Sequence, residues 1–353
     1  MNEYDGYKVL IAYRPFDEKT PPEQWSEITP DEDIVWVKNH LDNSGMDTEI
    51  LYVGRDVEEV LNGYDPRDTV IFNYCDGYAY TDEEDTYEQT GYDPVTKIFE
   101  TLDFAFTGAD NETLWGGQDK AIAKSQLVQN GIPTPLYRIY DTSAVADWDI
   151  FPALVKPSRQ HSSMGISQKS VVKNHEELKQ RVEYVLDTWK QPALVEEYIQ
   201  GPEVRTSLWG NGKLEVLPLL RIHYPYAVDP RYAVMDYDSK WDESRIAYEL
   251  PARFEPQVKR RIEKVAKAAY RATGMRDYGS MDIRVRDGQP YVIDPNQNAD
   301  MSEVSYIIRQ VLEAGYSEAQ FVSGLVRLAS ERRPHLRPAP KPVRQRAAMK
   351  VKA

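Results

Sequence analysis

The opening hundred residues alternate short apolar runs with helical stretches, and this rhythm constrains the fold more than anything else in the chain. Tyr7–Tyr13 (YKVLIAY) is an apolar, β-branched run suited to a buried strand. A helix follows from about Asp31, with acids in its first turn and Gly45 just past its end. Thr48–Val53 and Thr69–Tyr74 are two further strands. Strands separated by helices predict parallel pairing in a doubly wound sheet. Ligands of such sheets lie beyond the carboxyl ends of the strands, which makes Arg14–Asp17 and Asn73–Gly77 a candidate site edge. The acidic, tyrosine-rich segment 77–93 reads as a loop or lid.

At 353 residues the chain exceeds one ordinary core, so two or three domains are expected. A net charge of −14 argues against general nucleic-acid binding, which needs a basic footprint. No run approaches the roughly 18 uninterrupted apolar residues of a membrane span. The first residues are acidic where a signal peptide would be basic. The single cysteine, Cys75, excludes an intrachain disulfide framework and any multi-cysteine zinc site, and makes a reducing cytoplasm the natural compartment. After Glu331 the proline-rich tail 332–353 carries eight Lys/Arg and no acid. It reads as a disordered, solvated terminus or as a docking arm for an acidic partner.

A second block opens near Gly108. It has a helix over Gln118–Gln129, strands at Phe151–Lys156 and Ile166–Val172, and a helix over Glu176–Leu186. A third block carries strands at Ala193–Glu197, Val204–Trp209 and Leu214–Leu220 and a long amphipathic helix from Pro256 to Gly274. Strands Tyr278–Val285 and Pro290–Asp294 are joined by a hairpin turn at Arg286–Gln289, and two amphipathic helices end by about Ser330. The expected division is therefore 1–110, 111–192, 193–330 and a tail 331–353.

The hairpin carries the most informative constellation. It brings Asp282, Asp294 and Asn296 together at one end, an all-oxygen set that suits one or two magnesium ions carrying ATP. On spacing alone an ordinary Asp-rich surface hairpin reads the same way. Lysines supply the complement: Lys120 opens a helix, Lys156 ends an apolar strand and Lys240 lies in the polar loop DYDSKW. A lysine at the end of a buried strand requires an anionic partner, either a phosphate or an internal acid. After Lys156 the turn PSRQHSSMGIS has Ser162, Ser163 and Gly165, small residues that let backbone N–H groups approach phosphate. It lacks the Walker spacing. In LVEEYIQGPE, adjacent acids at a strand end are able to accept from an adenine amino group, with Glu203 left for ribose hydroxyls; solvated charges are the bland alternative.

Taken in order, DK, VKP with its Ser/Gly turn, VEEYIQGPE, a lysine loop, MDIRV and IDPNQNADM resemble the D-alanine–D-alanine ligase branch of the ATP-grasp superfamily, from about Asn73 to Val326. The resemblance implies a three-domain fold of α/β and α+β class. An N-terminal parallel α/β domain precedes two α+β lobes that clasp ATP. It implies that Lys120 and Lys156 contact the α- and β-phosphates, with Ser162, Ser163 and Gly165 in the loop over them. Glu196 and the backbone of Glu197, Tyr198 and Ile199 meet adenine, and Glu203 meets ribose. Lys240 serves the γ-phosphate, with Trp241 where an aromatic is usual. Asp282, Asp294 and Asn296 hold Mg2+, one ion or two, with Mn2+ as the other candidate. Ser305 matches a carboxylate-binding serine, and Asp300 joins it on the substrate side. Lys240, Arg284 and Ser163 are the residues assigned to the chemical step. The activity implied is amide-bond formation from a small carboxylate and an amine through an acyl phosphate, by a homodimer.

Departures from that pattern are as informative. The N-terminal His, Ser and Glu that grip the first substrate in those enzymes are replaced by YRPFDEKTPPEQW. Ser280 stands where they carry an arginine two residues before the first metal Asp. Arg284, two residues past Asp282 and on the same strand face, is the expected substitute, or else a surface ion pair. Their Pro-Gly becomes Ala299-Asp300. A substrate pair other than two D-alanines is therefore expected. A kinase-like or thiol-ligating enzyme and a non-catalytic nucleotide-binding subunit are the rival readings. His161, inside the phosphate loop, is a candidate contact for nucleotide or substrate, whereas Cys75 reads as a packed thiol.

Overall fold

The computed structural model describes residues 7–15, 29–75, 95–227 and 229–333. Phe16 and Asp17, Asp76 and Gly77, the acidic segment 77–93, the side chain of Trp241 and the tail from Pro334 lie outside the described residues. The first unit runs β1 (Lys8–Tyr13), α1 (Asp31–Asn43), β2 (Asp47–Tyr52), α2 (Val57–Leu61), β3 (Thr69–Asn73), α3 (Thr96–Thr101) and β4 (Ala105–Phe106). Its strands pair in the order β2-β1-β3-β4, all parallel, as the alternation of strand and helix predicted. Alternate residues of β1 point to opposite faces: Val9 and Ile11 enter one apolar cluster, Leu10 and Ala12 another. Both faces are therefore covered, as a parallel sheet requires.

A single helix was expected over Gln118–Gln129, but there are two, α4 (Asn111–Gln118) and α5 (Lys120–Gln129). Asp119 breaks them apart: its backbone is extended and its carboxylate accepts from Ala121 N at 2.8 Å, capping α5. Next come β5 (Tyr137–Tyr140), β6 (Ala153–Pro157), β7 (Val171–Val172), α6 (His175–Trp189) and β8 (Ala193–Glu197). The strand expected from Ile166 shortens to Val171–Val172 because Ser167 and Ser170 close a capping box around a single 3-10 turn. The sequence groups Ala193–Glu197 with the third block, yet the hydrogen bonds of β8 run to β5 and β6 in an antiparallel sheet of order β5-β8-β6-β7.

The remaining sheet contains β9 (Glu203–Trp209), β10 (Glu215–Val216), β11 (Leu220–His223), β12 (Ala247–Glu249), β13 (Tyr278–Arg286) and β14 (Gln289–Asn296). Its order is β12-β11-β9-β13-β14, with β10 also on β9. Pro218, which has no N–H to donate, divides the expected Leu214–Leu220 strand into β10 and β11. The β13–β14 turn places Asp287 and Gly288 at φ 53° and 73°, the left-handed pair of a two-residue hairpin. The helices of this unit are α7 (Tyr237–Trp241) and α8 (Pro256–Ala272), whose buried stripe includes Ile262, Ala266, Ala269 and Tyr270. The last two helices, α9 (Tyr306–Glu313) and α10 (Glu318–Glu331), return to the first sheet: Ile307, Val311, Phe321 and Leu325 share a core with Val9, Ile11, Val37 and Phe72. The α/β plus α+β architecture read from the sequence is the one the chain adopts. Among the described residues no helix is long and apolar enough to cross a membrane.

Candidate active site

Three strands lay charged residues side by side. In the β9–β13 ladder Arg205 stands opposite Asp282 and Glu203 opposite Arg284; in the β13–β14 ladder Asp282 faces Asp294 and Ser280 faces Asn296. Arg205 donates from Nε to Asp282 Oδ1 and from Nη2 to Oδ2, each at 2.6 Å, a bidentate pair. Burial pushes the Asp282 carboxyl up, and the Arg205 guanidinium opposes that without cancelling it. The side chains of Asp294 and Asn296 have no hydrogen bond or salt bridge among the described residues. Those oxygens, a carboxylate and an amide beside a second carboxylate on the adjacent strand, fit the hard-cation donor set read from the sequence.

The lysines converge on the same place from the other sheet. Glu196, at the end of β8 and 1% exposed, is paired with Lys156 Nζ at 2.8 Å and with Lys124 Nζ at 2.6 Å. Burial works against its charge, but the Lys124 and Lys156 ammonium groups outweigh it and hold the carboxyl below its usual range. At Lys124 burial wins and the pKa falls; at Lys156 burial is outweighed by Glu196 and Asp294 and the pKa rises. Lys120 is also buried and donates to the carbonyl of Gln160 at 2.5 Å. Burial opposes the charge of Asp294, yet Lys120 and Lys156 hold its carboxyl low. Three buried ammonium groups thus face two carboxylates, one of them unpaired. Lys124 was missed from sequence, although it lies four residues after Lys120 and so on the same helix face.

The loop after β6 is stitched to the start of α5: Ser158 Oγ donates to Asp119 Oδ1 at 2.7 Å and Arg159 Nε to Asp119 Oδ2 at 3.0 Å. Ser162 and Ser163 both adopt left-handed backbone, at φ 54° and 61°, a conformation that costs energy outside glycine and is often found at ligand-binding loops. Gly165 is left-handed too, and a Cβ there would lie 2.6 Å from Pro157 Cγ. His161 shares its ring Nε2 with Gln118 Oε1 at 2.9 Å. Burial first, then Lys120, pushes its pKa down to about 3, so at neutral pH it is an uncharged imidazole. Lys240, on α7, is exposed at the cleft surface, but crowding and the Arg205 guanidinium lower its pKa to about 8. Asp300, Asp282 and Asp294 act on it in the opposite direction.

The expectation that Arg284 stands in for the missing arginine beside Asp282 meets a different arrangement. Arg284 is 5% exposed and bonded to Glu203 Oε2 at 2.7 and 3.1 Å, to Tyr198 Oη at 2.6 Å and to the carbonyls of Ala233 and Ile199. Its face is the one expected, but the acid directly opposite on β9 captures it. Arg205 is the arginine beside Asp282. A cavity of about 390 Å3 opens at the Glu203–Arg284 pair, lined also by Arg221, His223 and Tyr224. Arg286 engages Glu197, leaving Glu196 as the buried acid of the pair. Ser305 caps α9 through Ile308 N, and Asp300 accepts from Ser302 N and Oγ at 2.9 and 3.0 Å.

The family model described as the D-Ala D-Ala ligase C-terminus matches residues 138–327. The chain belongs to that family. A D-alanine–D-alanine ligase of Desulforudis audaxviator is 30% identical over 245 residues, 67% of this chain and 77% of that protein. An uncharacterized protein of Sinorhizobium fredii is 26% identical over 315 residues, covering 88% and 90%. The Bacillus anthracis D-alanine–D-alanine ligase crystallised with ATP superposes with a TM-score of 0.69 at 20% identity, over 93% of this chain and 98% of that one. The fold is therefore ATP-grasp. As a D-Ala–D-Ala ligase-like member, the chain is an enzyme that joins carbon to nitrogen, in a family that uses ATP and a divalent metal.

Proposed function

We propose that this ligase activates a small carboxylate, an amino acid or natural-product acid, as an acyl phosphate and passes it to an amine other than a second D-alanine. The observation that carries the reading is the excess of buried cation: Lys120, Lys124 and Lys156 face Glu196 and Asp294 and call for a further anion, the role a triphosphate fills. Lys120 and Lys156 neutralise the α- and β-phosphates, the N–H groups of Ser162 to Gly165 cover them, and Lys240 reaches the γ-phosphate from α7. Glu203 offers its carboxylate to ribose at the cavity, and the Glu197–Ile199 backbone meets adenine. Asp294 and Asn296, with the Asp282 carboxylate adjoining them on β13, frame the place where magnesium would be held, and the ion would supply charge neutralisation at the phosphates.

In the first step the substrate carboxylate oxygen bonds to the γ-phosphorus and the bond to the β-γ bridging oxygen breaks, releasing ADP. In the second the amine nitrogen attacks the acyl carbon, phosphate leaves and the nitrogen gives up a proton. The pre-set lysines act on charge that builds at the phosphoryl oxygens, and the closed loops keep water from the anhydride. Ser305 and Asp300 lie on the substrate side, at the segment after β14. Departure from two D-alanines is supported by Ser280 in the arginine position and by the guanidinium arriving from β9 instead. Activity in the cytoplasm, as a homodimer, completes the proposal. The test is ADP release from Mg-ATP across carboxylates and amines, singly and in pairs, with hydroxylamine as trap. A hydroxamate and turnover that needs one acid and rises with one amine are expected. ADP release without hydroxamate would instead mark a kinase.

A further inference from the structure

Both oxygens of Asp282 are taken by one guanidinium, while Asp294 beside it on β14 and Asn296 two residues on are unengaged. The pair is built in. Register places Arg205 directly opposite Asp282, Gln310 Nε2 donates to the Arg205 carbonyl at 3.2 Å, and the Tyr306 ring backs the guanidinium at 5.1 Å. A bidentate guanidinium is planar, permanently charged and held at fixed distance. A divalent cation binding Asp282 would have to displace it or sit against another positive charge. At Asp294 the Lys120 and Lys156 ammonium groups act on the carboxylate without a hydrogen bond or ion pair to it, so its oxygens stay open to a cation where those of Asp282 are occupied.

We propose that Arg205 is an internal cation that removes Asp282 from metal ligation, so that the centre holds one divalent ion, on Asp294 and Asn296. Arg205 then supplies at the Asp282 position the positive charge a second ion would bring. Its side chain is 23% exposed, and its charge acts on Lys240. The proposal rests on the reading of this cleft as the ATP site, and it concerns only how many ions that site takes. A sequence reading missed it because nothing along the chain says that position 205 will lie beside position 282.

The test is a count of Mn2+ per chain by electron paramagnetic resonance. Wild-type protein is saturated with Mn2+ and the ATP analogue bearing an imido bridge between its β- and γ-phosphorus, then freed of excess by gel filtration, with bound nucleotide measured in the same sample. One ion per nucleotide is expected for wild type and two for Arg205→Ala, whose fold is checked by circular dichroism. Two ions in wild type, or one in a folded Arg205→Ala, overturn the inference while leaving the ligase reading intact. Absence of bound nucleotide would refute the ligase reading itself. Should Arg205→Ala fail to fold, the wild-type count alone decides.

Discussion

Replacing Glu196 with Gln is the sharpest probe of the buried charge that the site is built on. The substitution keeps shape and removes one charge, leaving Lys124 and Lys156 in an interior where their side chains are 2% and 5% exposed. Removing one partner of a buried ion pair costs about 3–5 kcal/mol. Lys124 keeps one relief, a bond to Thr134 Oγ1 at 2.8 Å, which argues for the lower half of that range. At about 2–4 °C of melting temperature per kcal/mol for units of this size, Glu196→Gln is expected to melt roughly 6–16 °C below wild type at pH 7. The pH dependence has a definite sign. Without Glu196, burial holds the lysine pKa values below their unfolded value of about 10.4, so folding releases protons and the deficit shrinks as pH rises. Differential scanning fluorimetry at pH 7 and pH 9.5 reads both effects. Melting within about 2 °C of wild type at pH 7, or a deficit that widens with pH, would refute the reasoning.

Asp294→Ala is expected to abolish ADP release and to melt below wild type by less than Glu196→Gln, because its carboxylate offsets Lys120 and Lys156 without bonding to either; near-normal turnover would remove it from the metal site. Gly165→Ala adds a Cβ 2.6 Å from Pro157 Cγ at φ +72°, so the loop must shift, and the KM for ATP is expected to rise about tenfold or more. An unchanged KM would show that this loop does not cover the phosphates. Asp33 has its carboxyl raised to about 6 by burial and then by Asp300, Glu32 and Glu303. A raised acid favours the fold at low pH and opposes it once ionised, so Asp33→Asn is expected to stabilise by about 1 kcal/mol at pH 7, after allowance for solvent screening, and not at all below pH 4. Thermal melts at the two pH values decide.

Local pattern carried the elements well. The runs at residues 8, 47 and 69 became strands and the acids at Asp31 opened a helix, because apolar period and capping chemistry act over a few neighbouring residues. What it did not carry were decisions made across space. Ala193–Glu197 was readable as a strand, but its sheet is settled by hydrogen bonds to residues 137–157. Asp282, Asp294 and Asn296 were legible as a group because a tight hairpin joins them, so their proximity is local. The partners of Arg284 and Asp282 were not, since both lie on β9, some 80 residues away in sequence. Lys124 was overlooked for a different reason: a lysine on a helix is usually solvated, and only its carboxylate partner from β8 explains its burial.

The packing of α9 and α10 onto β1 and β3 has a consequence for how the protein is made. The first sheet leaves the ribosome well before α9 and α10, but one of its two apolar faces is covered by residues up to Ala329. At about 5–20 residues per second, roughly 10–45 seconds separate synthesis of Phe106 from that of the helix that covers it. During that interval Val9, Ile11 and Phe72 are covered only in part, by α1, and the apolar surface left open is a natural place for a chaperone to hold. Loss of a few turns at residues 318–331 would then harm the beginning of the polypeptide more than its end.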